Sequence, residues 1–364
     1  MPIRVATFNV NNLFDRPRIF QNDGTPEPNV LSDIQQLEKL IAKPVYDPAT
    51  KDRIRAILMK YDFHTDGYNP WFTINETRGK LYGTRDDRFE ILPDHASEWV
   101  GTIEFIRDVV PSICTENTGR VIAAVKPDVL CVVEVEGRLT LDHFNRNILW
   151  PMNAAFRHVM AIDGNDRRGI DVGLMSQLPL GAIYTHIDDP DPADTDTGKL
   201  FNRDCAEYEV LLPGGQSLAM LCNHLKSKRG KPGHESADDA KRQRQADRIA
   251  AILLDYDLAQ DLVVVAGDFN DTPDSPALAK LLATPNLFDV LSSPKLKGDR
   301  WTLRHREELQ QIDYLLVSKP LWEKLISVGI ERRGLVGPNS FPEVRTRTEQ
   351  ASDHACVWAD FDLG

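Results

Sequence analysis

The chain has 364 residues, 41% of them hydrophobic and 27% charged, an ordinary globular composition in which no apolar run approaches the length of a membrane span. Five cysteines without CxxC spacing argue against a zinc site or a disulfide framework and for free thiols in a reducing compartment. The formal net charge of −12 disfavours long-range attraction to a polyanion, but charge around a site counts for more than the sum, so nucleic acid stays open as a substrate.

At this length one large domain, or a domain with an insertion, can bury a sizeable core. The N-terminus opens directly on the strand-like run IRVATF (3–8), with no basic region leading into an apolar one, so the sequence is expected to act in the cytoplasm. Asn9 and Asn11 follow that run. The stretch 13–117 is punctuated by turn signals, QNDGTPEPN, KPVYDPATKD and HTDGYNPW, yet it contains helix patterns over 52–60 and 97–110. In the second of these, Trp99, Ile103, Ile106 and Val110 share one helical face ended by Pro111. The stretch therefore predicts a folded insertion within a single domain spanning 1–364, and its exit beside Asn9 and Asn11 predicts that it walls the cleft.

Beyond it, apolar or alternating runs recur as predicted strands: 128–133, 170–175, 217–222, 262–267, 312–317 and 355–361. Between the third and fourth, Ala246, Ile249, Ala250 and Leu253 recur at helical spacing, with Ser236 and Asp239 as a candidate capping pair. Strands and helices interleave, which means mixed α/β layers. Each polar cluster of interest lies at a strand end: Glu134 and Glu136, Asp171, Asn223 and His224, Asp268 and Asn270, Asp313, Asp353 and His354. That recurrence points to one rim where many strand ends converge.

The most telling segment is GDFNDTPDSP (267–276), which follows the buried run LVVVA. A strand end is rigid, so Asp268, Asn270 and Asp271 are held while Thr272 and Pro273 turn the chain away. Alone it also reads as an Asp/Asn/Pro turn after a core strand.

TFNVNN (7–12), PDVLCVVEVE (127–136), RRGIDVGLM (167–175), NHLKSK (223–228), GDFNDTPDSP, QIDYLLVS (311–318) and SDHACVW (352–358) together resemble the endonuclease/exonuclease/phosphatase superfamily, in that family's order. The resemblance implies a four-layer α/β/β/α sandwich of two mixed sheets with outer helices, plus the inserted helical and loop segment. It implies Asn9 and Glu134 as ligands of a divalent cation, with Asn11 near it and Asp353 opposite. Such oxygen donors suit Mg²⁺ or Mn²⁺, with Ca²⁺ as an alternative. Glu136 is a weaker second candidate.

The same resemblance makes Asp268 the carboxylate that activates water and Asn270 its orienting partner. It implies that His354, fixed by Asp313, bonds a non-bridging phosphate oxygen, and that His224 pairs with Asp171 and either protonates the leaving oxygen or holds the phosphate. Arg203 in FNRDC and Lys226 are expected phosphate contacts. Lys228 and Arg229 extend a basic cluster that reads equally as a solvated loop. Where abasic-site endonucleases have a Gln-Glu pair this chain has Val133 and Glu134, which speaks against abasic-site repair. The expected function is a Mg²⁺-dependent phosphodiesterase, foremost a nuclease on DNA or RNA. The alternatives are a phosphomonoesterase or phospholipid phosphodiesterase, and an inactive member that binds phosphate or a partner.

Overall fold

The computed structural model describes residues 2–17, 19, 29–65, 69–109, 112–195, 197–228, 235–305 and 308–363. The chain divides into two compact units, Met1–Phe14 with Pro111–Gly364, and Asp15–Val110.

Twelve described strands of the larger unit form its two large sheets. In chain order they are β1 (Pro2–Leu13), β2 (Val129–Val135), β3 (His158–Ile162), β4 (Asp171–Ser176), β5 (Leu180–Tyr184) and β6 (Ala206–Leu211). Then come β7 (Ser217–His224), β8 (Leu262–Asp268), β9 (Leu287–Asp289), β10 (Asp313–Ser318), β11 (Leu325–Glu331) and β12 (Cys356–Asp362). They form two mixed six-stranded sheets, ordered β11-β12-β1-β2-β4-β3 and β5-β6-β7-β8-β10-β9. Within the first sheet β1 and β2 are parallel, and within the second β7 and β8 are.

Alternation along these strands explains both the core and the site. Ile3 and Val5 of β1, Val129, Cys131 and Val133 of β2, Leu218, Met220 and Cys222 of β7, and Leu262, Val264 and Ala266 of β8 pack in one buried cluster between the sheets. The opposite face of the second sheet, including Val263, Val265, Tyr314 and Leu316, packs against Ala246, Ile249, Ala250 and Leu253. Those four residues lie along helix Glu235–Ile252 and the short 3₁₀ turn after it. On the first sheet, helices Ile113–Val125 and Arg138–Phe144 contact β12 and β3 respectively. The result is a sandwich of helices, sheet, sheet and helices.

Two local expectations change. The chain is already helical at Glu235, so Ser236 and Asp239 lie inside the first turns rather than capping them, and Asp239 pairs with Arg242 instead. Over 97–109 no α-helix forms. A 3₁₀ turn covers Ala96–Glu98, and Val100–Phe105 pairs antiparallel with Phe72–Arg78. The β-branched Val100, Thr102 and Ile103 fit a pleated pair, and that pairing overrides the i, i+3 spacing of apolar residues. Val110 and Arg229 lie outside the described residues.

The smaller unit has its own core. Helices Val30–Ile41 and Pro48–Lys60 bury Ile34, Leu37, Ile54 and Leu58 with Phe72 and Trp99. Asp47 caps the second helix by accepting from the Thr50 N–H at 2.7 Å, with Pro48 in its first turn. Among the described residues no helix is long and apolar enough to cross a membrane. All five cysteines are free, and all but the half-buried Cys114 are buried.

Candidate active site

The inner-face alternation ends in polar residues at one edge of the sandwich. Continuing the apolar rows, Asn9 follows Val5 and Thr7 on β1, His224 follows Cys222 on β7, and Asp268 follows Ala266 on β8. Those three lie at the C-terminal side of parallel strands. Asp313 opens antiparallel β10 and Asp353 and His354 precede antiparallel β12, which brings them to the same edge. A cleft of about 620 Å³ opens there, lined among others by Asn11, Glu134, Arg203, His224, Asp268, Asn270, Asp353 and His354.

Two backbone devices set the geometry. Val133 pairs with Val172 and Val135 with Asp171, so Glu134 is the extra residue of a bulge, and it adopts a left-handed φ of 66°. A glutamate held there stores strain, as functional residues often do. The second device is Gly267, at φ 135°, where a Cβ would lie 1.9 Å from the Asn223 carbonyl oxygen. Only glycine lets β7 and β8 approach so closely, and the register then sets His224 opposite Asp268.

Asn9 ties the carboxylates together. Its Nδ2 donates to Glu134 Oε1 at 3.2 Å and to Asp268 Oδ2 at 3.1 Å, while its Oδ1 accepts from the Asn11 N–H at 3.0 Å. Asp268 Oδ1 accepts from the Asn270 N–H at 2.8 Å, and Asn270 Nδ2 donates to the Leu225 carbonyl at 3.1 Å. His354 Nδ1 lies 2.9 Å from Asp313 Oδ2. Both His354 Nε2 and His224 Nε2 lie 3.8 Å from Asp268 Oδ2.

The two buried imidazoles are electrostatically opposite. Burial opposes charge on His354, but the carboxylates of Asp313 and Asp268 outweigh it and raise its pKa to about 10. Burial, aided by the positive charges of Arg203, His354 and Arg168, holds His224 well below the usual histidine range. One imidazole is therefore charged and the other neutral at pH 7. Burial raises the Asp268 carboxyl, His354 pulls it down, and Asp313 and Glu134 add to the rise.

Around this centre lies a basic rim. Arg203, only 4% exposed, pairs through Nη2 with Asp166 Oδ2 at 3.0 Å, and its buried Nε has no hydrogen-bond partner among the described residues. Arg168 grips the same Asp166 from Nη2 at 2.8 Å. Lys226 turns its ammonium to Asp238 at 3.2 Å, and Lys228 pairs with Asp271.

Asp171 stands apart from the chemistry expected of it. Its Oδ1 accepts from the Gly164 N–H at 2.7 Å, burial raises its pKa to about 6, and His224 Nδ1 has no hydrogen-bond partner among the described residues. The register between the two strands shifts between Asp171 and Val172, opposite the bulge at Glu134. Glu136 does not line the cleft. Asp166 and Arg168 are cleft residues that sequence reasoning left unassigned, although RRGIDVGLM contains Arg168.

A hard dication fits the donors present. Glu134 Oε1 and Asp268 Oδ2 converge on one amide, Asp353 faces the same cleft, and the oxygen-rich set suits Mg²⁺, Mn²⁺ or Ca²⁺ better than a thiophilic ion. Among the described residues Asp268, Asp313 and His354 also cluster closely enough to hold a metal. Both Asp313 oxygens, however, lie within 3.1 Å of His354 Nδ1, so that cluster is a hydrogen-bonded dyad beside a carboxylate.

The sequence model of the Endonuclease/Exonuclease/phosphatase family matches residues 112–354. Solved structures with a similar fold include an endonuclease/exonuclease/phosphatase family protein from Leptotrichia buccalis C-1013-b, at 15% identity and TM-score 0.48, covering 69% of this chain and 93% of that one. TDP2 from D. rerio, solved in complex with single strand DNA product, matches at 14% identity and TM-score 0.48 over 69% and 92%. An endonuclease/exonuclease/phosphatase from Beutenbergia cavernae DSM 12333 matches at 20% identity and TM-score 0.48 over 70% and 67%. No curated protein sequence matches the chain.

Proposed function

The chain belongs to the endonuclease/exonuclease/phosphatase family, and from that premise we propose that it is a divalent-metal-dependent phosphodiesterase that cleaves nucleic acid by in-line attack of water. The observation that carries this reading is Asp268 Oδ2, set 3.8 Å from both a charged and a neutral imidazole in an open cleft.

Asp268 is the proposed base. Burial raises its proton affinity, and the Asn270 N–H on Oδ1 leaves Oδ2 to face the cleft and a water there. His354, kept charged by Asp313, donates from Nε2 to a non-bridging phosphate oxygen as negative charge builds. Arg203 supports the same oxygens, since its unpartnered Nε is a buried donor at the rim. His224, held neutral, offers an N–H to the phosphate but no spare proton for the leaving oxygen, so we assign that protonation to water in the cleft.

Glu134, with Asn9, Asn11 and Asp353, would hold the cation, Mg²⁺ or Mn²⁺, which when bound supplies Lewis-acid neutralisation of the phosphate. Arg168, Lys226 and Lys228 line the same cleft and give a local basic track for a polyanion despite the net charge of −12. The free thiols support a reducing, cytoplasmic setting.

The test is purified protein with Mg²⁺ or Mn²⁺ on plasmid DNA, single-stranded DNA, RNA and p-nitrophenyl phosphate esters, with EDTA controls. Polynucleotide cleavage that EDTA stops is expected. Turnover of a phosphomonoester with no polynucleotide cut would sink the nuclease reading, and no turnover of any ester would sink the enzymatic one.

A further inference from the structure

A second pocket, of about 320 Å³, lies across one strand from the cleft. The segment 302–305 is bonded to the chain that carries His354: the Arg304 N–H donates to the Asp353 carbonyl at 3.1 Å and the Ala355 N–H to the Thr302 carbonyl at 2.6 Å. Alternation along that segment sends Leu303 and His305 into the cleft and Arg304 into the second pocket.

Three arginines line this pocket, and one of them is in an ion pair. Arg333 is paired with Glu331 at 2.6 Å. Arg304 and Arg332 form no ion pair among the described residues, and their hydrogen bonds end on carbonyl oxygens. Arg304 Nη1 donates to Val336 O at 2.7 Å; Arg332 Nη2 donates to Asp299 O at 2.5 Å and to Trp301 O at 2.9 Å, and its Nε to Trp301 O at 3.2 Å. Both guanidiniums lie over the Trp301 ring, Arg304 at 4.9 Å and Arg332 at 4.2 Å from its centroid. Two like charges share one indole. Burial lowers the Arg332 pKa, Asp299 opposes the fall, and Arg304 adds to it, so charge at this spot is held at a cost that a bound anion would relieve.

We propose that the Arg304, Trp301 and Arg332 pocket is a phosphate-binding site separate from the catalytic centre, in which the N–H groups of Arg304 and Arg332 not spent on carbonyl oxygens bind a phosphoryl group. Trp301 fixes the guanidiniums, and Gly337, whose Cβ would come 3.4 Å from Arg304 Nη1, leaves the space beside them open. The phosphate is either a flanking group of a polynucleotide that also enters the cleft or a free phosphate bound independently. The site does not depend on the catalytic reading, because it is defined by binding alone.

Binding is therefore measured in EDTA, without turnover. Fluorescence anisotropy follows labelled single-stranded DNA of 3 and 12 nucleotides, and calorimetry follows inorganic phosphate. Wild type is compared with Arg304→Gln, Arg332→Gln and, as a nearby exposed control, Arg300→Gln. For a flanking phosphate, either pocket variant weakens the 12-mer at least tenfold and the 3-mer less than twofold. For a free phosphate, inorganic phosphate binding falls at least tenfold in both variants while the 12-mer is unchanged. Wild-type binding of both probes in both variants overturns the proposal, as does an equal loss in Arg300→Gln. Thermal unfolding checks each variant; if Arg332→Gln fails to fold, Arg304→Gln decides alone. Loss of all cleavage activity beside intact pocket binding would refute the catalytic reading and leave this one standing.

Discussion

Arg242 and Asp271 form a buried ion pair at 2.9 Å that ties helix Glu235–Ile252 to the turn following Asn270. Arg242 is wholly withdrawn from solvent, and its Nη1 also donates to the Lys226 carbonyl at 2.8 Å. One guanidinium therefore holds two of the loops that carry cleft residues, those of Lys226 and Asn270.

Replacing Arg242 by Ala leaves Asp271 buried, with the half-exposed Lys228 as its remaining ion-pair partner among the described residues beside the Thr272 N–H on Oδ1. Breaking a buried pair from one side typically costs about 3–5 kcal/mol. A drop of that size in unfolding free energy by urea titration is expected. In the fraction still folded, kcat should fall as well, because the Asn270 turn loses its anchor.

Asp268→Asn should separate activity from stability. Removing the proposed base is expected to lower kcat by roughly a thousandfold or more, within the range for loss of a catalytic group. The fold should gain, by about 1 kcal/mol, because a buried carboxylate beside Glu134 and Asp313 is exchanged for a neutral amide. A melting temperature at or above wild type with activity lost is the expected pair of results; retained turnover would remove Asp268 from the mechanism.

Asp313→Asn probes the charged imidazole through pH. Burial acts against charge on His354, and with the Asp313 carboxylate gone only Asp268 and Asp353 remain to favour it. The alkaline limb of the kcat profile should move down from about pH 10 towards the ordinary histidine range. Stability follows the same sign. A raised histidine pKa gives stability that is complete below the unfolded value of about 6.5 and is lost as pH rises through the folded one. Wild type should thus lose stability on the alkaline side, and the variant should show less of that loss.

Much of the site was legible because strand alternation is a strict period of two. Once Val264 and Ala266 face the inner core, Asp268 must face the same crevice, and the same logic places Asn9 and His224. What sequence could not show were the exceptions to the period. The bulge at Glu134 adds one residue to a strand and shifts its register against Asp171, and no residue type in VVEVEG marks it. The segment 97–110 misled for a related reason: its apolar spacing suits a helix, but its partner, Phe72–Arg78, is remote in sequence. The arginine pocket was equally invisible, since Arg304 sits on a three-residue strand, and Trp301 and Arg332 reach it from irregular segments.

Gly267→Ala tests whether strand approach sets the catalytic geometry. The added Cβ would sit 1.9 Å from the Asn223 carbonyl oxygen, 2.8 Å from its carbon and 3.1 Å from its nitrogen, all backbone atoms that cannot rotate aside. The φ of 135° adds strain for any residue with a Cβ. Relief requires β7 and β8 to part, which breaks the register that sets His224 against Asp268. Overpacking a buried site costs about 1–3 kcal/mol and more where the backbone must move, so a loss of about 3 kcal/mol or more is expected by denaturant titration. Turnover should fall further than the folded fraction does. An alanine variant with wild-type stability and wild-type kcat would mean that the close approach at Gly267 does not position the site.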